Sequence, residues 1–452
     1  MFVNRQKEKD RLTKAFHKTN PQLIIVYGRR RCGKSALLRN VLPEGSIYFS
    51  ADLRDSRLQI NAFANQVNQV VDDFNRVIYP DWESVLLSLN RSVTGLTTVC
   101  IDEFPYLVRN SPELPSVIQK LTDNKSLNKI HLVLCGSSQQ MMQGMVMDSA
   151  SPLYGRCNEV LRIDPMPAFY LSEFLGLLPV DTVTEYAVWG GVPRYWEIRA
   201  TSPDFKEAIK YHVLDKNGIL NEEPERLFLD EMRTSIQAYS VIALIAAGCH
   251  RLSEIAARLN KPATQLSRIL QFLVDLKYIH RELPYGESWK NSKKSLYKVR
   301  DPFLDFYFRF LVPNKSMLEF GMVDQVWENI HTQLDQYVSF HWEELCRKAV
   351  PMLTISGKKY MPASRWWGNL NGQNTEIDIM ADSIDKTTVL IGEVKWSEKA
   401  NHQEILDQMQ RKIHHMPVSK GKKVQWVCFI KDKKGIESDW IFDASDVINA
   451  LR

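Results

Sequence analysis

Eight consecutive residues, Gly28-Arg29-Arg30-Arg31-Cys32-Gly33-Lys34-Ser35, sit directly behind the apolar run 23–26 and directly ahead of the helix-forming stretch 36–40. Both the spelling and the strand-loop-helix setting match a phosphate-binding loop. The two glycines let the backbone curl so that successive N–H groups face one point, and the helix behind adds the positive end of its dipole. Gly28 through Ser35 are therefore expected to cradle the phosphates of ATP or GTP, with Lys34 reaching the β and γ phosphates and Ser35 holding Mg²⁺. An ordinary glycine turn is the competing reading of the same letters, and the context argues against it.

Up to about residue 165 apolar runs alternate with helical patterns. That is the signature of a parallel sheet covered by helices on both faces, so this part of the chain reads as α/β. The predicted strands are 23–26, 47–49, 98–101, 131–134 and 160–163. Open α/β sheets bind ligands outside the carboxyl ends of their strands, and two of these runs end in polar groups. One delivers Asp102 and Glu103, the first to support the Mg²⁺ shell and the second to orient and deprotonate an attacking water. The other leads to Ser137 and Ser138, which either place a hydroxyl near the γ-phosphate or cap the helix that starts at Gln139.

From Ser240 the period changes, and Val241, Leu244 and Ile245 keep the spacing of a first helix. A short helix is expected over 252–259 with Ser253 as its cap, then a longer one capped by Thr264 with the stripe Leu266, Ile269, Leu270, Leu273 and Leu276, then two strand-like ends around Pro284, Gly286 and Asn291. Three helices and a hairpin make a winged helix-turn-helix. Eleven basic residues face four acidic ones between Arg251 and Arg300, an excess of +7 beside a net charge of +5 for the whole chain. Gln265 and Arg268 are placed to enter a major groove, and Lys290, Lys293 and Lys294 to contact phosphate, so DNA is the expected partner. A solvated basic face on a lid or protein-contact module is the alternative.

The last third alternates polar and apolar residues over 375–380 and returns through 389–396. Glu393 and Lys395 point to one face of a strand, and Asp378 on the neighbouring strand can meet them. Two carboxylates for Mg²⁺ and an amine to activate water are the parts of metal-assisted phosphodiester cleavage, although charges that merely pair would give the same pattern.

The opening Phe2-Val3-Asn4-Arg5-Gln6-Lys7-Glu8, the loop at 28–35, the Asp102-Glu103 strand and Pro152-Leu153-Tyr154-Gly155-Arg156 together resemble the archaeal-type ATPases of the AAA+/STAND group. The resemblance implies ATP as the nucleotide and Arg156 as an arginine finger acting on its own or a neighbouring subunit's nucleotide, hence a possible homo-oligomer; a structural ion pair is the other reading of Arg156. Asn4 stands where that family more often has Gly. Gly190-Gly191-Val192-Pro193-Arg194-Tyr195 looks like the family's lid segment, and Asp301 to Phe310 with Pro313-Asn314 resembles its linker to a C-terminal domain. That last domain resembles the PD-(D/E)XK nuclease superfamily, with Asp378, Glu393 and Lys395 on the motif positions and Glu343 on that of the helical acid that joins the metal site.

The resulting fold expectation is a P-loop parallel-sheet domain (1–165), a helical lid (166–235), a winged helix-turn-helix (236–312) and an α/β restriction-endonuclease-like domain (313–452). No apolar run approaches the ~20 residues that span a bilayer, and the N-terminus lacks a signal-peptide core, so no membrane and a cytoplasmic location are expected. Seven scattered cysteines with no C-x-x-C pair argue against a disulfide framework or a zinc site. Two functions compete: an ATPase that couples hydrolysis to nucleic-acid engagement and possible cleavage, and an ATP-dependent regulatory switch whose C-terminal domain binds without cutting.

Overall fold

The protein is described here by a computed structural model covering residues 4–231, 235–290, 292, 294–370, 373–398, 403–405, 407, 410 and 421–452. Two compact units result, one running to Pro165 and the other holding essentially the rest from Met166.

The first unit is built on β1 (Leu23–Tyr27), β2 (Ile47–Ser50), β3 (Thr97–Asp102), β4 (Ile130–Gly136) and β5 (Glu159–Arg162). The order is β2-β3-β4-β1-β5 and every pairing is parallel. Continuous apolar runs are what a parallel sheet covered on both faces requires, and β1 and β4 are buried along their whole length. Around the sheet lie α1 (Gln6–Phe16), α2 (Lys34–Val41), α3 (Ser56–Val67), α4 (Trp82–Ser92), α5 (Phe104–Asn110), α6 (Leu114–Asp123) and α7 (Gln139–Met147). Phe49, Phe63 and Trp82 pack edge to face in its core, with centroids 5.5 and 5.6 Å apart along the chain of three rings. Because β1 neighbours β4 and β4 neighbours β3, the three strands expected to carry polar groups open their carboxyl ends side by side.

The second unit begins with α8 (Ala168–Leu175), α9 (Pro179–Trp189), α10 (Pro193–Arg199), α11 (Phe205–Ile209) and α12 (Glu223–Glu231). Gly190, at φ +61°, turns the chain between α9 and α10, and the buried Arg199 guanidinium clasps Glu185 with three hydrogen bonds of 2.7–3.0 Å. Then come α13 (Ser235–Ala246), α14 (Leu252–Leu259), α15 (Ala263–Asp275) and an antiparallel hairpin of β6 (Ile279–Glu282) and β7 (Leu296–Val299). Leu266, Leu270 and Leu273 form the buried stripe of α15.

The caps differ from expectation. Arg251 caps α14, its N–H donating to Glu254 Oε2 at 3.0 Å, so Ser253 lies inside the first turn. Pro262, whose ring fixes φ, sets the start of α15, and Thr264 is the second helical residue. The segment at Asp301 continues as α16 (Pro302–Phe306), with Asp301 Oδ1 accepting the Leu304 N–H at 2.9 Å, and its aromatic residues Phe303, Phe306, Tyr307, Phe308 and Phe310 are all buried.

After α17 (Lys315–Glu319) the long α18 (Val323–Ala349) leads to a mixed five-stranded sheet of β8 (Ser364–Leu370), β9 (Gln373–Asp382), β10 (Thr388–Val394), β11 (Lys423–Phe429) and β12 (Ile441–Phe442), ordered β12-β11-β10-β9-β8. β8–β9 and β9–β10 are antiparallel, whereas β10–β11 and β11–β12 are parallel. The hairpin loop is fastened to this sheet. The Tyr285 N–H donates to the Arg365 carbonyl at 2.8 Å, its hydroxyl donates to Asp382 Oδ1 at 2.7 Å, and its ring packs against the cluster of Ile377, Met380, Val389 and Ile391. Among the described residues no helix is long and apolar enough to cross a membrane.

Candidate functional site

The loop from Gly28 to Gly33 leaves β1 and enters α2. At Gly28 a Cβ would stand 2.2 Å from the Ile163 carbonyl oxygen, so only glycine fits, and Gly33 holds φ +84° as the N-cap of α2. Arg31 also takes a positive φ, +66°. Lys34 is 6% exposed, and its ammonium donates to the carbonyls of Gly28 at 2.9 Å and Arg29 at 3.0 Å. Those partners are neutral, so its charge is not cancelled by them. Arg29 and Cys32 are buried, while Arg30 donates to the Tyr106 hydroxyl at 3.2 Å.

Asp102 ends β3 as a buried carboxylate. Burial pushes its pKa up, but hydrogen bonds from Ser35, Tyr48, Cys135 and the Glu103 N–H outweigh that, and the net direction is down. A buried anion touching the Ser35 hydroxyl is the donor set that a hard divalent cation takes when substrate phosphates and water complete its shell. Glu103 follows in the left-handed region at φ +53°, a conformation that costs an ordinary residue about 1–2 kcal/mol. Its carboxylate accepts the Ser137 hydroxyl from the end of β4, 2.9 Å to Oε2 and 3.3 Å to Oε1. Ser138 is the N-cap residue of α7 but makes no side-chain cap bond. The loop, Asp102, Glu103 and Ser137 thus meet at one sheet edge.

Arg156 does not join them. Its guanidinium grips Asp123 at the end of α6 with bonds of 2.8, 3.1 and 3.0 Å, the ion-pair alternative.

Two residues that sequence reasoning missed belong to this edge. Tyr48 on β2 donates its hydroxyl to Asp102 Oδ2, and burial together with that carboxylate pushes its own pKa well up. The signal was available in the alternation: β2 and β3 run in register with Tyr48 opposite Cys100 and Ser50 opposite Asp102, so Tyr48 shares a face with the acid. Arg5, 8% exposed, donates to the carbonyls of Cys32 at 3.2 Å and Asp164 at 2.6 Å, pinning the chain's opening segment to the loop.

In the second unit the expected acids do gather. Val394 N–H donates to Asp378 Oδ2 at 2.9 Å and Lys395 Nζ to Glu393 Oε2 at 3.1 Å, while Glu343 on α18 faces Arg347 at 3.5 Å. Burial first, then the charges of Glu393 and Glu343, push Asp378 up to about 7. Burial opposes the Lys395 ammonium, but Glu393, Asp378 and Glu343 overcome it and hold its pKa above the usual value. Among the described residues no three His, Cys, Asp or Glu side chains stand close enough to chelate a metal ion as they are, so Glu343, Asp378 and Glu393 form a charged cluster rather than a ready cage. The residue missed here is Arg347, 7% exposed, which reaches Glu343, Glu344 and Glu282 and donates to the Asp378 carbonyl at 3.2 Å. Its place four residues after Glu343 on one helix was the available sign.

Of the predicted nucleic-acid contacts, Gln265, Arg268 and Lys290 are exposed, Lys294 pairs with Glu287 at 2.9 Å, and Lys293 lies outside the described residues.

Residues 2–195 match a family described as an ATPase domain predominantly from Archaea, and residues 307–406 match a family of archaeal and bacterial proteins of unknown function. An uncharacterized protein of Methanocaldococcus jannaschii is 31% identical over 430 residues, covering 94% of this chain and 92% of its own length. An uncharacterized ATP-binding protein of the same organism is 43% identical over 47 residues, 10% of this chain and 80% of its own. Among solved structures, the Walker-type ATPase of Pyrococcus abyssi aligns with a TM-score of 0.53 at 21% identity, over 68% of this chain and 96% of that one. The fold of the first unit, with its parallel five-stranded sheet, is therefore that of the P-loop ATPases.

Proposed function

We propose, from the premise that this chain belongs to the family in which an ATPase domain predominantly from Archaea precedes a domain of archaeal and bacterial proteins of unknown function, that it is an ATP hydrolase whose turnover governs how its second unit engages nucleic acid. The observation that carries the ATPase reading is Lys34, a buried ammonium resting on two loop carbonyls. A triphosphate entering the loop replaces those carbonyls with anionic oxygens, and the loop N–H groups and the start of α2 add to the attraction.

Ser35 and Asp102 are the residues that would hold Mg²⁺, which when bound neutralises charge on the phosphates. Glu103, once it leaves Ser137, orients the attacking water and takes its proton. Phosphate release by the wild type against Lys34→Ala and Glu103→Gln tests this. Equal rates for wild type and Glu103→Gln would remove Glu103 as the base.

For the second unit, three helices followed by a hairpin support a winged helix-turn-helix, with the exposed Gln265 and Arg268 of α15 and the basic loop around Lys290 as its nucleic-acid surface. The placement of Asp378 on β9, with Glu393 and Lys395 at the end of β10, supports a restriction-endonuclease-like domain. A second reading, binding without cutting in a regulatory switch, is favoured by one contact: Glu393 is committed to Lys395 at 3.1 Å. A Mg²⁺-dependent cleavage assay on DNA and RNA, with and without ATP, comparing wild type with Lys395→Ala, separates the two. Cleavage lost in the variant supports the nuclease; no cleavage under any condition supports the switch.

A further inference from the structure

Between the hairpin loop and the C-terminal sheet lies a cleft of about 560 Å³, bounded by Arg281, Trp289, Arg347, Lys348, Tyr285 and Pro362 among others. Cavities of roughly 300–1,000 Å³ take one small molecule, which here means room for one or two nucleotide units. Trp289 is 57% exposed, and the Arg281 guanidinium lies 5.3 Å from the centre of its ring, so one face is covered and more than half of the side chain is open.

Arg281 donates to Ser295 Oγ at 2.7 Å and to the carbonyls of Trp289 and Ser292 at 3.0 and 3.2 Å. All three acceptors are neutral, so Arg281 keeps its charge. The acids of the cleft are matched instead: Glu282 by Lys298 at 3.0 Å and by Arg347 at 3.8 Å, Glu344 by Lys348 at 3.2 Å, Glu287 by Lys294 at 2.9 Å. An open aromatic face beside an uncancelled guanidinium is the arrangement that holds unpaired bases and their phosphates. Arg347, a wall of this cleft, also donates to the Asp378 carbonyl and faces Glu343, so a strand lying here ends beside the acid cluster.

We propose that this cleft binds an unpaired nucleic-acid strand, one base stacking on Trp289 and the adjoining phosphate meeting Arg281. The proposal rests on the nucleic-acid reading above and specifies its substrate as single-stranded. The test is fluorescence anisotropy of the full chain with a labelled twelve-nucleotide oligothymidylate and with a duplex of equal length, at two salt concentrations, for wild type, Trp289→Ala and Trp289→Phe.

The expected result is that Trp289→Ala weakens the single strand by roughly ten-fold or more, since one aromatic platform is worth that much per base, that Trp289→Phe restores most of the loss, and that the loss on the duplex is several-fold smaller than on the single strand. Unchanged melting temperatures would show the variants folded. If the single strand binds equally to wild type and Trp289→Ala, or only the duplex binds, this inference fails while the wider reading stands. If neither probe binds at any salt, both fail.

Discussion

The Ser137 hydroxyl donates to the Glu103 carboxylate across 2.9 Å, joining the end of β4 to the residue that follows β3. The carboxylate is aimed at a neighbouring hydroxyl, so on the proposed mechanism Glu103 has to leave this bond before it can meet a water. Glu103→Gln is expected to slow ATP hydrolysis by about 10²-fold or more while nucleotide affinity stays close to wild type. Ser137→Ala, which frees Glu103, is expected to change turnover far less than Glu103→Gln. Single-turnover phosphate release beside equilibrium binding of a fluorescent nucleotide measures both.

Tyr48 fixes the orientation of Asp102 from outside the expected metal shell. Partners of this kind are worth about 10–100-fold in metal affinity when removed. Tyr48→Phe is accordingly expected to raise the Mg²⁺ concentration needed for half-maximal nucleotide binding by about ten-fold, with Mg²⁺-free binding unchanged. A calorimetric titration of nucleotide at several Mg²⁺ concentrations decides it, and an unaltered Mg²⁺ requirement would remove Tyr48 from the site.

Arg347 touches α18, β6 and β9 together, through Glu343, Glu344, Glu282 and the Asp378 carbonyl. Removing one member of a buried ionic group leaves the others uncompensated and costs about 3–5 kcal/mol. Arg347→Met is expected to destabilise the second unit by that order, read as a lower urea midpoint, and Arg347→Lys to recover only part because a single ammonium cannot serve so many partners.

His131 sits buried on β4, its Nδ1 accepting the Gln22 N–H at 3.1 Å. Burial lowers its pKa from the ordinary 6.5, outweighing backbone contacts at Phe16 and Lys18 that favour the charged ring. The unfolded chain therefore binds this proton at higher pH than the folded one. Its stabilising contribution is complete above about pH 6.5 and is lost as the pH falls below that value toward the lowered folded pKa. Hydrogen exchange of β1 and β4 amides should accelerate between pH 7 and about 5.5 beyond the intrinsic pH effect. His131→Asn should flatten that acid limb.

The phosphate loop was readable because its chemistry is local: glycines, lysine and serine act within eight residues, and the flanking periodicities name the strand and the helix. Asp102, Glu103 and Ser137 were readable because a parallel sheet brings strand ends to one edge whatever the loops between them do. Tyr48, Arg5 and Arg347 were harder to read: alternation and helical spacing hint at Tyr48 and Arg347, but the contacts to Asp102, Cys32 and the Asp378 carbonyl that give the three their roles lie 27 or more residues away in the chain. Ser253 and Thr264 were misjudged as caps for a related reason: propensity favours Ser and Thr, but Glu254 and Pro262 settled the helix starts through their own geometry.

The Tyr285 fastening bears on how this protein can be taken apart. A cut near residue 313, where the chain composition invites one, would strip the hairpin loop of Arg365, Asp382 and the apolar cluster under its ring, and would strip Glu282 of Arg347. Grafts and truncations meant to transplant the C-terminal sheet should therefore carry the hairpin with it. The second compact unit, which starts after Pro165, holds hairpin and sheet together as one piece.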